Sequence, residues 1–369
     1  MALPGEVTRL YERPGPFATA YLDATRSTEL GAEQVRLRWH ALRSTLLHAG
    51  ADEATVAALD DSAEESVSGE HGRVLVGAHG ETLLAESLPR PPLRPLARWA
   101  PLPHVMPYLA QQGPRIPYVV VLADLEGADI STSSGTTTTV EGSHDYPRHM
   151  TYTEHSSERH FQQRVENNWA ANAREVAAVV ADHAARVKAA IVIVAGDPRA
   201  RGLLRSELPR FLEPDVEIAQ LSEGGREAGA SHAELDDAIL SVLLQRALRE
   251  RARVLDRLGA ARGHGLAVTG VAAVVAAVRR SQVDTLVLAD DALSTLHAWI
   301  GPEPLQLGLV EDELSALGVA APQRDRLDAA LVRALAGTDA SLLIVPPDDV
   351  TLPDGIAALL RYTDEATPH

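Results

Sequence analysis

The 369-residue chain contains no cysteine, which excludes disulfides, thiolate zinc sites and cysteine nucleophiles together and suits a reducing compartment. Aromatic residues are scarce, at 4% against 45% hydrophobic, so Ala, Val and Leu must fill the interiors. That composition favours α/β layers over an aromatic-rich β-sandwich. Lys188 is the only lysine, and nearly all positive charge is therefore arginine. The longest nearly uncharged apolar run, residues 266–278, is too short to span a bilayer. Around Pro4, Gly5 and Glu6 there is no basic region followed by an apolar core, so no secretory signal is expected and a soluble, cytoplasmic protein without membrane contact is. A formal net charge of −17 argues against non-specific coating of DNA or RNA and confines any RNA contact to local arginine clusters.

What is present suggests three segments, each too small to be the whole chain. In the first, Phe17 to Leu22 alternates bulky and small residues and reads as a strand. A helix that Ser27 or Thr28 could cap should follow, with apolar positions at Leu30, Val35, Leu37, Leu42 and Leu46. A second helical stretch covers 53–65, and 73–78 with 81–86 read as two strands joined at His79-Gly80. Seven prolines between Pro89 and Pro107 cannot continue a helix or a central strand, and mark a boundary. Beyond it, Pro117 to Asp124 is a buried type of strand, 128–133 and 136–141 suggest a meander, and a long helix should open near Ser157. Residues 190–196 and 216–221 are two further buried strands with a helix between them, which predicts a largely parallel sheet. Ser231 opens a long arginine-bearing helix. The last segment repeats the theme, with helices over 268–280 and 324–336 and strands over 285–289 and 341–345. The expectation is an α/β protein of three domains: 1–112, 113–260 and 261–369.

Few motifs carry chemistry. Gly263-His-Gly265 lacks a third glycine and a preceding strand, so it does not read as a dinucleotide turn, and there is no P-loop and no nucleophile elbow. No cofactor is called for. His144, His149, His155 and His160 crowd one polar stretch, where metal binding competes with an incidental solvated loop; their spacings place no pair on one helical face. Asp124, Asp129, Glu141 and Asp145 could serve as paired carboxylates or as ordinary turn residues. Arg36, Arg38 and Arg43, with Trp39 and His40, form a basic and aromatic patch suited to RNA, or a solvated helix face carrying one packed tryptophan.

Three stretches, in order, resemble the class I release factor and Pelota family of archaea and eukaryotes. Asp354 to Tyr362 is similar to the family's terminal Gly-Gly-Ile-x-x-Ile-Leu-Arg-Tyr. Residues 270–278 leading into 283–288 resemble the opening helix and strand of its third domain. Residues 191–196, with 221–225 downstream, resemble strands of its middle domain. Residues 15–23 are similar to the N-terminal region of bacterial members, which include Balon-type hibernation factors and a mycobacterial relative, the one this sequence most resembles.

The resemblance implies a translation factor that binds the ribosome. In true release factors the middle domain carries Gly-Gly-Gln on a loop before a long helix. Here the corresponding residues, 142–164, contain no such tripeptide, and Gln162-Gln163 fall inside the expected helix. Gly224-Gly225-Arg226 follows a strand far downstream and matches a different family segment. The first 112 residues also lack a stop-codon-reading Asn-Ile-Lys-Ser. The implied function is therefore non-enzymatic occupancy of a vacant ribosomal A site in stressed or idle cells, a hibernation role, with elongation factor Tu an optional companion. Its rRNA-binding candidates are Arg148, His149, Tyr152, His155, Arg159 and Arg164, together with Arg36, Arg38 and Arg43. The alternative is a rescue factor that cleaves peptidyl-tRNA through His149, Tyr152, His155, Arg159 or Gln163. A third reading, an acidic regulator that never meets the ribosome, follows from the net charge.

Overall fold

The structure is a computed structural model. It describes all residues except 1, 27–30, 66–70, 114, 142–156, 223, 225–231, 291–294 and 365–369, and leaves the side chains of 157–165 and 232 undescribed. The chain forms two compact units, one of residues 1–114 with 253–369 and the other of residues 115–252.

The N-terminal stretch runs α1 (Gly5–Leu10), β1 (Phe17–Asp23), α2 (Gly31–His48), α3 (Glu53–Ala58), α4 (Asp60–Glu64), β2 (Gly72–Ala78), β3 (Glu81–Leu88), β4 (Leu96–Ala100) and α5 (Met106–Gln112). Its antiparallel sheet has the order β3-β2-β1-β4. Both faces of β1 are buried, which explains its alternation: Ala18, Ala20 and Leu22 meet α2, while Phe17 and Tyr21 point into the core shared with the C-terminal stretch. On α2 the inward positions are Val35, Trp39, Leu42 and Leu46, a helical face at i, i+4, i+7 and i+11. Leu37, another apolar position of this helix, is 65% exposed because it lies off that face, and Ser27, Thr28 and Leu30 lie outside the described residues.

Two expectations change here. The single helix over 53–65 is two short ones. Asp52 caps the first through the Thr55 amide at 2.8 Å, and Asp60 opens the second while its carboxylate accepts from Trp39 Nε1 at 2.8 Å. The proline run also holds more regular structure than expected, for β4 lies between Pro95 and Pro101 and Pro107 sits in the first turn of α5. The prolines occupy the ends of elements, and β4 is an edge strand, where they are tolerated.

The second unit runs β5 (Tyr118–Ala123), β6 (Gly127–Thr132), β7 (Thr137–Glu141), α6 (Ser157–Val187), β8 (Ile191–Gly196), α7 (Pro198–Glu207), β9 (Glu217–Gln220) and α8 (His232–Arg262), the last of which continues into the first unit from residue 253. Its five strands are ordered β7-β6-β5-β8-β9. The β5–β8 and β8–β9 pairs are parallel and the β5–β6 and β6–β7 pairs antiparallel, so the sheet is mixed and not largely parallel. The meander accounts for this, since short turns can join only antiparallel neighbours. Nor is β9 fully buried: it is the edge strand and half-exposed. Along β8, Val192 and Val194 face α6, while Ile191 and Ile193 face α8. Gly196 ends β8 at φ +104°, and a Cβ there would collide with the Ala123 carbonyl, so only glycine fits.

The C-terminal stretch comprises β10 (Ala267–Thr269), α9 (Val271–Arg279), β11 (Val283–Ala289), β12 (His297–Ile300), β13 (Leu307–Gly308), α10 (Glu311–Ala316), β14 (Gln323–Arg326), α11 (Leu327–Thr338), β15 (Ser341–Val345) and β16 (Ile356–Leu360). One sheet has the order β10-β16-β11-β15, with β11 and β15 parallel, and a smaller one the order β13-β12-β14. The expected helix over 268–280 begins as a strand: Gly270, at φ +84°, breaks the chain and α9 starts at Val271, whose amide donates to Asp354 Oδ2 at 3.0 Å. The expected helix over 324–336 likewise opens with β14, which pairs with β12. Residues 356–360, not assigned a strand from sequence, form β16 between β10 and β11.

Asp325, on β14, joins the N-terminal sheet to this stretch. Its side chain is fully buried, forms an ion pair with Arg98 of β4, and accepts the Leu102 amide at 2.9 Å and the Arg326 amide at 2.6 Å. Removing one partner of such a pair leaves a buried charge uncompensated. Asp325→Ala is expected to destabilise the first unit by roughly 3–5 kcal/mol, with Asp325→Asn losing less because it keeps an acceptor for Leu102. Denaturant midpoints for both variants check this, and a midpoint for Asp325→Ala equal to wild type would show that the tie is dispensable.

Candidate functional site

In the second unit residues 142–156 connect β7 to α6, and 157–164 are the first turns of that helix. Arg148, His149, Tyr152 and His155 lie outside the described residues, as do His144 and Asp145. Arg159, His160, Gln162, Gln163 and Arg164 belong to the first turns of α6, with their side chains undescribed. The helix they open is 31 residues, roughly 46 Å long, and its Ala173, Val176, Ala177, Val180 and Ala184 pack on the sheet. The candidate segment thus lies between an antiparallel strand and a helix packed on the sheet.

Two carboxylates of this unit, Asp124 and Asp197, are occupied by backbone amides. Asp124 Oδ1 accepts the amides of Glu126 and Gly127 at 2.8 and 2.7 Å, closing the β5–β6 turn. Asp197 caps α7 through the amides of Arg199 and Ala200. Asp129 accepts the Thr139 hydroxyl at 2.8 Å across the β6–β7 pair, and Glu141 sits opposite Gly127. The four carboxylates weighed from sequence therefore include three in the meander, with Asp124 and Asp129 satisfied locally. At the carboxyl end of β5, Trp169 of α6 lies under the Arg199 guanidinium, 5.6 Å from its ring centre, and closes the α6–α7 corner.

The helix patch divides. Arg38 pairs with Asp23 at 3.3 Å and donates to its carbonyl at 3.1 Å, and Arg43 pairs with Asp60 at 3.3 Å. Arg36 and His40 are exposed, and Trp39 is buried at 2% exposure, packed rather than presented for stacking. On α8 the arginines also meet acids: Arg246 and Arg249 both bond Glu217, and Arg257 bonds Asp284. Among the described residues no group of three or more His, Asp or Glu side chains converges as a metal site, and no helix is long and apolar enough to cross a membrane.

A polar cluster that sequence reasoning missed lies in the first unit. His104 is buried, with its amide donating to Thr19 Oγ1 at 3.3 Å and its carbonyl accepting the Tyr21 hydroxyl at 2.8 Å. Its Nδ1 stands 3.9 Å from Asp328, too far for a hydrogen bond, while Asp328 is chelated by Arg326 at 2.6–3.2 Å. Burial pulls the His104 imidazole down to about 4; the Asp328 charge opposes this and Arg326 and Arg98 reinforce it. Nearby Arg333 is buried, donating to the carbonyls of Gly301 and Gln306, and burial lowers its affinity for the proton. Burial raises Tyr11 and Tyr21 well above the usual phenol range. The only signal in the sequence was a histidine inside a proline run, beside the charge-dense Arg324-Asp-Arg-Leu-Asp328. His104, Arg326 and Asp328 form one wall of a cleft of about 600 Å³ at the carboxyl ends of β11 and β15. Its acids are already engaged, Asp328 by Arg326 and Asp354 by the first amide of α9.

A family model for bacterial archaeo-eukaryotic release factor family 2 matches residues 117–264. The uncharacterized protein Rv2629 of Mycobacterium tuberculosis H37Rv is 31% identical over 361 residues, covering 94% of each chain, and its counterpart MT2704 in strain CDC 1551 matches equally. The chain belongs to the bacterial archaeo-eukaryotic release factors. Among solved structures, the archaeal translation termination factor aRF1 aligns over 97% of both chains at 16% identity with a TM-score of 0.22. Dom34 of Saccharomyces cerevisiae aligns over 78% of this chain and 75% of its own at 14% identity, TM-score 0.40. An archaeal Pelota, in a model of its ribosome-bound state with ABCE1, aligns over 98% and 96% at 13% identity, TM-score 0.39.

The depressed His104 has a consequence for stability. Between pH 6.5 and about 4 the unfolded chain takes up a proton that the folded chain refuses, so stability falls as pH drops through that window and is unaffected by this group above it. The full effect is on the order of 3 kcal/mol. Replacing the imidazole, as in His104→Asn, should flatten the pH dependence in that window by up to about 1.4 kcal/mol per pH unit. Denaturation midpoints measured from pH 7 to 4 give the slope, and one identical to wild type would mean that His104 titrates normally.

Proposed function

We propose that this chain is a ribosome-binding factor that occupies the vacant A site without releasing peptide. The observation that carries the reading is its membership of a release-factor family through residues 117–264, which include the 142–164 segment but no Gly-Gly-Gln. In this reading the protein works in the cytoplasm as a hibernation factor in stressed or idle cells, with elongation factor Tu an optional companion. In this reading it acts as three domains, at 1–112, 113–260 and 261–369, of which the first two each hold one sheet.

Its rRNA contacts come chiefly from Arg148, His149, Tyr152, His155, Arg159 and Arg164, and secondarily from Arg36, Arg38 and Arg43. The intramolecular pairing of Arg38 and Arg43 favours this ranking, since a guanidinium already held by a carboxylate must give up that partner to meet a phosphate. With an overall charge of −17, affinity should rest on few, localised cations.

Sedimentation of lysate through a sucrose gradient tests the reading at its coarsest: the protein should travel with ribosomes, and a protein left at the top of the gradient would overturn it. Arg148→Ala/Arg159→Ala/Arg164→Ala should weaken ribosome binding and reduce the logarithmic salt slope by about two. The Arg36/Arg38/Arg43 triple alanine variant should change both less. The reverse ranking would move the site to α2. Peptidyl-tRNA hydrolysis abolished by His155→Ala or Gln163→Ala would establish the cleaving rescue factor instead.

A further inference from the structure

We propose that a second cleft of the first unit, lined by Tyr11 and Arg333, is a binding site for a small monocarboxylate with a ring-sized apolar body. The cleft holds about 550 Å³, an ordinary size for a small-molecule site. Residues 11–17 and the 300–304 turn supply most of its lining. Both stretches are held in place from behind. His79 Nε2 donates to the Pro14 carbonyl at 2.8 Å, and Arg13 pairs with Glu81. Arg333, on α11, donates to the carbonyls of Gly301 and Gln306 at 2.9 and 3.3 Å, and the Glu303 amide donates to Gln306 Oε1 at 3.1 Å. The cleft is therefore built by the fold itself.

Two buried donors of this cleft lack an acceptor. Arg333 is only 7% exposed, and neither its Nε nor the Tyr11 hydroxyl has a hydrogen-bond partner. Arg333 is also the odd cation of its surroundings. Arg98 pairs with Asp325 and Arg326 with Asp328, whereas Arg333 forms no ion pair among the described residues and bonds only neutral carbonyls. The two side chains are neighbours, since each is the strongest electrostatic influence on the other. Burial keeps the phenol protonated, so both groups offer protons. Buried charges are normally paired and buried polar atoms normally bonded. A bridging water would take both protons but leave the guanidinium without a counter-charge. A carboxylate accepts from both donors and supplies the missing charge. The lining selects the remainder of the ligand. Pro14, Pro16, Pro302 and Pro304, with Phe17 and Ile300, present apolar surface suited to a compact ring. Glu12 and Glu303, also lining the cleft, are exposed and oppose a second negative charge, which disfavours phosphates. The inference is independent of ribosome binding.

The probe is benzoate, titrated into the purified full chain up to about 20 mM, with binding read by calorimetry and by the rise in thermal midpoint. Wild type should bind benzoate at least about tenfold tighter than benzamide, which keeps the shape without the charge. Inorganic phosphate should not displace it. Tyr11→Phe removes a hydroxyl that bonds nothing in the protein, so the thermal midpoint should hold or rise while benzoate affinity falls about fivefold. Arg333→Met keeps an apolar stem and removes the charge, and should abolish the preference for benzoate over benzamide. If that variant fails to fold, Tyr11→Phe decides the matter alone. Wild type that binds none of benzoate, phenylacetate and cyclohexanecarboxylate by about 20 mM overturns the proposal. So does equal affinity for benzoate and benzamide, or benzoate affinity unchanged in Tyr11→Phe.

Discussion

A carboxylate with no route to water has to be satisfied by the protein, and Asp325 is such a group. Its three contacts, to the Arg98 guanidinium, the Leu102 amide and the Arg326 amide, come from the N-terminal sheet's edge and from its own strand. Because the cost of leaving any of them unmade is large, the edge strand β4 and the small C-terminal sheet are fixed to one another. The apolar core then closes across both stretches, taking Phe17 and Tyr21 from β1 together with Val274, Leu331 and Leu335 from the C-terminal helices. The hydroxyl of Tyr21 bonds the His104 carbonyl and receives the Tyr108 amide, so the same layer also positions the buried imidazole. That imidazole stays neutral because it is dry, even with Asp328 nearby.

The second unit is built differently. Its sheet is covered on one face by α6 and on the other by α8, and the turns at the strand ends are closed by Asp124 and Asp197 bonding backbone amides. Side chains used in this way hold loops in place and are poorly placed to act on a substrate. The segment between β7 and α6 is flanked by this sheet on one side and by a helix of roughly 46 Å on the other.

Thirty-four basic residues face fifty-one acidic ones, and many described arginines are held by acids of the same chain. Glu217 alone engages Arg246 and Arg249 of α8. An arginine-rich helix can thus be electrostatically closed, and arginine count is a poor guide to an anionic partner.

What the sequence by itself determined is local. The strands at 17–23, 72–78, 118–123 and 191–196 and the long helix from Ser157 follow from side-chain periodicity, which is set by neighbours two to four residues apart. The family resemblance was legible because it also resides in short ordered stretches, and the absence of Gly-Gly-Gln could be read directly. Strand order, the mixed direction of the middle sheet and the place of β16 between β10 and β11 depended on pairings between distant residues, which no local pattern encodes. The same holds for the arginines: whether Arg38 and Arg43 are available or already held depends on Asp23 and Asp60 arriving from elsewhere in the chain. Asp325 and His104 passed unnoticed for the same reason, since a charge or an imidazole acquires its character from the burial and partners that only the tertiary structure supplies.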